Sequence, residues 1–159
     1  MTMTTTITTP PPVTGQDINV AARATRKLLD VLLAEAGTSF APFVTLNAVA
    51  TRGPSVSRVE LVRVLGPGLD VDGSTILAML QHLQSRGLVR QTRSSGDETA
   101  VQVELTPDGE TEYRRLQTIV GAATSELYGG LDPDDLATTR RVLVTVTERV
   151  PALLRSVDG

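Results

Sequence analysis

The sequence predicts a mainly helical fold that carries one small β-hairpin. Two observations lead there. Apolar residues recur at helical spacing through residues 20–83 and again through residues 116–153. Between those blocks, behind Gly87, the period switches to alternation, with Val101, Val103 and Leu105 set against Gln102 and Glu104.

Each element has its own punctuation. Residues 1–16 are Thr- and Pro-rich with few large apolar groups, and read as a flexible tail that cannot offset its ordering entropy. Asp17 is the expected N-cap of the first helix. Its stripe is Val20, Ala24, Leu28, Val31 and Leu32, with Ala21 and Leu29 beside it, and Gly37 ends it. Ser39 caps a second helix, with Pro42 harmless in its first turn and Gly53-Pro54 as its stop. Ser57 and Glu60 match a capping box ahead of a third helix, which Gly66-Pro67-Gly68 is expected to break. Asp72 or Ser74 caps a fourth helix, with Ile76, Met79, Leu80 and Leu83 as its apolar positions and Gly87 as its C-terminal signal.

Residues 88–93 can then run extended, Ser94, Ser95, Gly96 and Asp97 supply turn chemistry, and Val101 opens the returning strand. Thr106-Pro107 followed by acids starts a fifth helix, which Gly129-Gly130 ends. Asp132 or Asp134 begins the last. Its stripe is Leu136, Val142, Leu143, Val146, Val150 and Leu153, and Pro151 is expected to kink or fray it. Two short helices joined by a turn and followed by a hairpin make a winged helix-turn-helix.

Composition narrows the chemistry. The chain has 159 residues, one domain's worth, with 40% apolar and 21% charged residues. Aromatics are only 3%, so Leu, Val, Ile and Ala must build the core. With no cysteine the chain offers no disulfide or thiolate zinc site, and with a single histidine, His82, a His-based metal site or a Ser-His-Asp triad has almost nothing to work with. Neither a metal, a cofactor nor catalytic residues are expected, so the chain does not read as an enzyme. No stretch approaches the roughly 18 apolar residues of a membrane span, no secretory signal is visible, and a cytoplasmic location is the expectation.

Net charge is −3, yet residues 52–93 hold six arginines against three acids, and the chain from Ser94 onward holds twelve acids against six arginines. A basic middle on an acidic frame speaks to partners, not to fold.

Two segments carry a family resemblance. The stretch Asp72-Gly-Ser-Thr-Ile-Leu-Ala-Met-Leu-Gln-His-Leu-Gln-Ser-Arg-Gly-Leu-Val-Arg90 resembles the recognition helix, and its exit into the wing, of the multiple-antibiotic-resistance regulator (MarR) family. Asp97 through Leu105-Thr106-Pro107-Asp108-Gly109 resembles that family's second wing strand and the entry to its next helix. The likeness spans about residues 17–154.

The resemblance implies a single domain at 17–159. Residues 17–37 and 106–155 would be dimerisation helices, and residues 39–105 a winged helix-turn-helix. It implies a homodimer on double-stranded DNA with a near-palindromic operator, acting as a repressor released by a small phenolic or otherwise amphipathic ligand. Three places depart from the family pattern: the wing tip Asp97-Glu98-Thr99, where basic residues are usual; Leu77 and Ala78 on the recognition helix; and the long Gly66-Pro67-Gly68-Leu69 turn.

The first turn of a recognition helix faces base edges, which makes Ser74, Thr75 and Leu77 candidates for DNA contact. Ser74 and Thr75 otherwise only cap the helix, and Leu77 is otherwise core. Gln81 bonds adenine or is simply solvated, and Leu77 at the surface would meet a thymine methyl. Arg58, Arg90 and Arg93 are assigned to phosphates, while Arg52 and Arg63 read as solvated or paired and Arg86 as a helix cap. Phe40, Phe43, Leu46 and Tyr113 line a ligand pocket or belong to the core. The acids at 108–112 and 132–135 fall at helix N-termini, where the dipole favours them. The alternative function is a winged-helix dimer that binds ligands or proteins with weak or no affinity for DNA.

Overall fold

A computed structural model describes residues 11–93 and 100–157. Residues 1–10 of the expected tail, the turn at 94–97 and the wing tip Asp97-Glu98-Thr99 lie outside the described residues. The chain divides into two compact units, Met1–Val120 and Gly121–Gly159.

In the first unit, α1 (Gly15–Glu35) begins earlier than expected. Thr14, not Asp17, is the N-cap. Its hydroxyl accepts from the Asp17 N–H at 3.3 Å, and the Asp17 carboxylate accepts from the Thr14 N–H at 2.8 Å. This reciprocal capping box satisfies two orphan donors at once and draws Gly15 and Gln16 into the helix. The strongest apolar stripe of α1 does not face the core: Val20 and Val31 are more than half exposed, while Leu33 is fully buried and Leu29 packs beside it. Gly37, at φ +79°, then terminates the helix in the left-handed conformation that glycine adopts without strain.

The centre of this unit is α2 (Phe40–Thr51), with Pro42, Phe43, Thr45, Leu46, Ala48 and Val49 all buried. The hydroxyl of Thr45 returns its proton to the Ala41 carbonyl at 2.8 Å, so burial leaves it satisfied. A two-residue strand, β1 (Val56–Ser57), follows. It leads into α3 (Arg58–Leu69), capped by the Ser57 hydroxyl, which accepts from the Glu60 N–H at 3.1 Å. The Glu60 carboxylate bonds Arg63 instead of returning to the cap.

The expected break at Gly66-Pro67-Gly68 does not occur, and α3 continues to Leu69. Proline in the last turn forfeits one N–H, and its ring normally clashes with the Cβ of the preceding residue. Gly66 has no Cβ, so the turn stays helical. Asp70 ends it instead, left-handed at φ 54°, with its N–H bonded to the Gly66 carbonyl.

After three linking residues, α4 (Gly73–Ser85) buries Ile76, Leu80 and Leu83 and leaves through Gly87 at φ +70°. The strands β2 (Val89–Arg93) and β3 (Val101–Leu105) pair antiparallel with Val89 opposite Leu105 and Arg90 opposite Glu104. β1 adds to the other edge of β3, Val56 opposite Val103, for the order β1-β3-β2. The hairpin is thus the expected one, widened by a third strand too short to show a period.

α5 (Pro107–Tyr128) starts at Thr106, whose hydroxyl accepts from the Gly109 N–H at 3.0 Å. Leu33, Leu61, Leu80, Leu83, Val103 and Leu116 are fully enclosed in the core of this unit. Each buried aliphatic side chain of this kind contributes about 1.5–3 kcal/mol. In the second unit, Gly130 at φ +79° separates α5 from α6 (Pro133–Val157), where the Asp132 carboxylate accepts from the Asp134 N–H at 2.8 Å. Pro151 lies inside α6, which continues past it to Val157. No residue of α6 is buried.

Candidate nucleic-acid interface

The local chemistry around Asp72 organises the front of α4. Its carboxylate oxygen Oδ1 accepts from the Thr75 N–H at 2.9 Å, the Ser74 hydroxyl at 2.7 Å and the Thr75 hydroxyl at 2.9 Å. These bonds, the one from Ser74 foremost, hold the Asp72 carboxyl below the ordinary aspartate value of 3.8. A carboxyl depressed by folding stabilises the folded state above its unfolded value, and that contribution is lost as pH falls through the folded one. The melting-temperature gap between the protein and an Asp72→Asn variant is therefore expected to shrink between pH 7 and pH 3, followed by circular dichroism. A constant gap would show that the charge on the cap is not what matters.

The outward face of α4 follows from the burial of the other one. Ile76, Leu80 and Leu83 point into the core, so Ser74, Ala78, Gln81 and Ser85 fall opposite, with Thr75, Leu77 and His82 on the flanks. All seven are exposed. Leu77 is 41% exposed and is not core. The helix carries no Lys, Arg, Asp or Glu anywhere in Gly73–Ser85.

The cations stand around this neutral face. Arg58 is half-buried at the first position of α3, and Arg93 is exposed at the end of β2. Neither has an ion-pair partner among the described residues. Arg90 bonds Glu104 across the ribbon at 2.6 Å. An exposed pair of this kind is weak and open to exchange for a phosphate. Alternation along β2 puts Arg90 on one face of the ribbon and Arg93 on the other, beyond Val89 and Gln91. Gln91 donates to the Gln84 side chain at 2.9 Å and so ties the wing strand to the recognition helix. The sequence gives no local signal for that bond. Arg52 donates to the Ala48 carbonyl at 3.2 Å and Arg63 pairs with Glu60, in line with their expected structural roles.

Of the four candidate pocket residues, two lie in the core and two border different pockets. Phe43 and Leu46 are buried in the core. Phe40 borders a groove of about 750 Å³ along α1 with Arg23, Arg26 and Lys27, and the Arg26 guanidinium carbon stands 3.6 Å from its ring centre. Tyr113 borders a separate pocket of about 260 Å³ with Val49, Pro54 and Leu105, and its hydroxyl donates to the Asn47 side chain at 2.9 Å. Among the described residues no cluster of His, Asp and Glu is suited to a metal ion, and no single helix is long and apolar enough to cross a membrane.

Capped helix, turn, recognition helix and three-stranded wing define a winged helix-turn-helix protein. No protein-family model matches the chain. Solved structures do. A cysteine-to-serine mutant of MarR from E. coli, complexed with operator DNA, is 27% identical with a TM-score of 0.69 over 83% of this chain and 91% of its own. The transcriptional regulator PA3341 is 26% identical with a TM-score of 0.74 over 87% and 98%. BpsR of Bordetella bronchiseptica, whose DNA binding is regulated by 6-hydroxynicotinic acid, is 22% identical with a TM-score of 0.70 over 84% and 91%, a likeness of fold alone. The chain has the MarR winged-helix fold, and its structural neighbours are MarR-family transcriptional regulators, not enzymes.

Proposed function

We propose that the chain is a sequence-specific DNA-binding transcriptional regulator, a homodimeric repressor released by a small aromatic ligand. The observation that carries the reading is the outward face of α4, held clear of the core between α3 and the wing. A structural neighbour at 27% identity forms a complex with operator DNA. The exposed stripes Val20, Leu28 and Val31 on α1 and Val142, Leu143, Val146 and Val150 on α6 support a dimer, since soluble proteins seldom leave such stripes uncovered. Two recognition helices about 34–36 Å apart then meet successive major grooves of a near-palindrome. Release by a ligand is supported by a fold neighbour whose DNA binding responds to 6-hydroxynicotinic acid. The groove beside Phe40, with Arg23, Arg26 and Lys27 on its wall, suits an aromatic acid.

Fluorescence anisotropy with DNA from upstream of the protein's own gene, against a scrambled duplex at two salt concentrations, tests the reading. Selective binding that weakens with salt is expected. The double substitution Arg90→Ala, Arg93→Ala is expected to weaken binding to all duplexes alike and to lower the salt slope by about two. The expected loss is about two per dimer, one per subunit, because opposite faces of the ribbon let only one of each pair reach a given backbone. An unchanged slope would remove the wing from the interface.

The neutral recognition helix favours a second reading, a winged-helix dimer that binds ligands or proteins without DNA. Absence of selective, salt-dependent binding to any duplex supports it.

A further inference from the structure

The bonds around Asp72 decide what the recognition helix offers to a base. A hydroxyl has one proton to donate. Ser74 and Thr75 both direct theirs at Asp72 Oδ1, at 2.7 and 2.9 Å. What they turn outward is lone pairs. The first turn of α4 is therefore an accepting surface, backed by a carboxylate and without a single cationic side chain. Beyond it come the methyl groups of Leu77 and Ala78 and then the Gln81 amide, all exposed.

Guanine shows only acceptors, N7 and O6, in the major groove and is best read by Arg or Lys. This helix has neither, and its hydroxyl protons are already committed. Adenine and cytosine both show an amino donor that the Ser74 and Thr75 oxygens can accept from, but only adenine sets it beside N7 and so matches a glutamine amide in both directions. Thymine adds a C5-methyl that cytosine lacks, an apolar contact for Leu77 and Ala78.

We propose that the pairs facing α4 in each half-site are A·T, read by Gln81 on adenine and by Leu77 and Ala78 on thymine methyls, with Ser74 and Thr75 accepting from adenine amino groups. This rests on the reading of α4 as a helix that enters the major groove. The arginines of α3 and the wing supply affinity without sequence information, so selectivity lies in a neutral helix that reads adenine edges and thymine methyls.

The test is selection from a pool of randomised duplexes with the full-length protein and, in parallel, with Gln81→Ala, whose exposed site leaves the fold intact. Positions whose preference changes between the two selections are those facing α4. They are expected to be A·T, with discrimination against G·C falling about tenfold in the variant and the salt slope unchanged. Thymine-to-uracil replacement in the selected site is expected to weaken binding of the unaltered protein at neighbouring positions. G·C at the positions that change, no change at any position, or indifference to the missing methyls overturns the proposal. Recovery of no preferred sequence by the unaltered protein refutes sequence-specific DNA binding itself, a result distinct from these that overturns the regulator reading together with this proposal.

Discussion

Alanine at position 109 is expected to cost the protein about 3 kcal/mol and its operator binding with it. A Cβ on Gly109 would stand 1.8 Å from the Leu88 carbonyl oxygen and 2.8 Å from its carbon. Those are backbone atoms, which cannot swing aside as a side chain would. Leu88 is moreover held from both ends: its N–H bonds the Leu83 carbonyl at 3.0 Å, and its own carbonyl accepts from the Thr106 N–H at 3.1 Å. The Thr106 hydroxyl also donates to the Gly87 carbonyl. Making room therefore displaces either the start of α5 or the exit from the recognition helix. Gly121→Ala is the matched control on the same helix, where an added Cβ meets nothing within 4 Å. It should be neutral or stabilising by up to about 1 kcal/mol, the ordinary gain of alanine over glycine in a helix. Urea unfolding at one fixed protein concentration separates the two. Coincident curves for Gly109→Ala and the parent would refute the close approach of α5 to Leu88.

Charge on the α6 stripe is expected to abolish the proposed dimer. Val146 and Leu153 lie on one side of α6 and are 46% and 63% exposed in the isolated chain. In a two-fold dimer each substitution counts twice. About half of each side chain is already covered in the isolated chain, so at about 1 kcal/mol for the remainder Val146→Asp with Leu153→Asp removes roughly 4 kcal/mol of burial before the cost of the new charges. Sedimentation equilibrium should report a monomer. Operator affinity should fall by about a hundredfold or more, because the second half-site is no longer held at high effective concentration. A variant that remains dimeric would place the interface elsewhere. The wing and recognition helix are untouched by these changes, so a monomer that keeps full affinity would break the link between dimer and operator.

The sequence was most legible where chemistry is local. Asp72, Thr106 and Asp132 cap the helices they were expected to cap, and Gly37, Gly87 and Gly130 sit left-handed at or beside helix ends. Such signals act over three or four residues, within reach of a side chain. Legibility failed where a neighbour decides. Asp17 is a sound cap in isolation, but Thr14 three residues earlier completes a box that includes it. Gly66-Pro67-Gly68 reads as a break until the missing Cβ of Gly66 is weighed against the proline ring. The strand at Val56 exists only because β3 offers an edge.

The stripe on α1 was located correctly, but periodicity cannot say whether an apolar face looks toward its own core or toward another molecule. At the interface, the exposure of Ser74, Thr75, Leu77 and Gln81 agrees with their placement on a recognition helix. The commitment of both hydroxyl protons to Asp72, and the Gln84 to Gln91 bond, depend on rotamers that spacing does not encode. Phe40, Phe43, Leu46 and Tyr113 read equally as pocket lining or as core, because spacing does not tell an enclosed apolar side chain from one that borders a cavity.

The first ten residues of the α5 segment bear on how the first unit moves. Thr106 is bonded to the exit of α4, Tyr113 to Asn47 in the middle of α2, and Arg115 to the Ala36 carbonyl at the end of α1. A rod about 15 Å long is thus riveted to three helices at three points along its length. Each joint holds α5 against a different helix, so a shift of α5 along its axis would have to break all three bonds. In the DNA-binding reading proposed above, α1, α2 and the exit of α4 then meet a groove as parts joined through one rod. Their fit to DNA must then be tuned by where the whole lobe is carried, much as a key is turned without being bent.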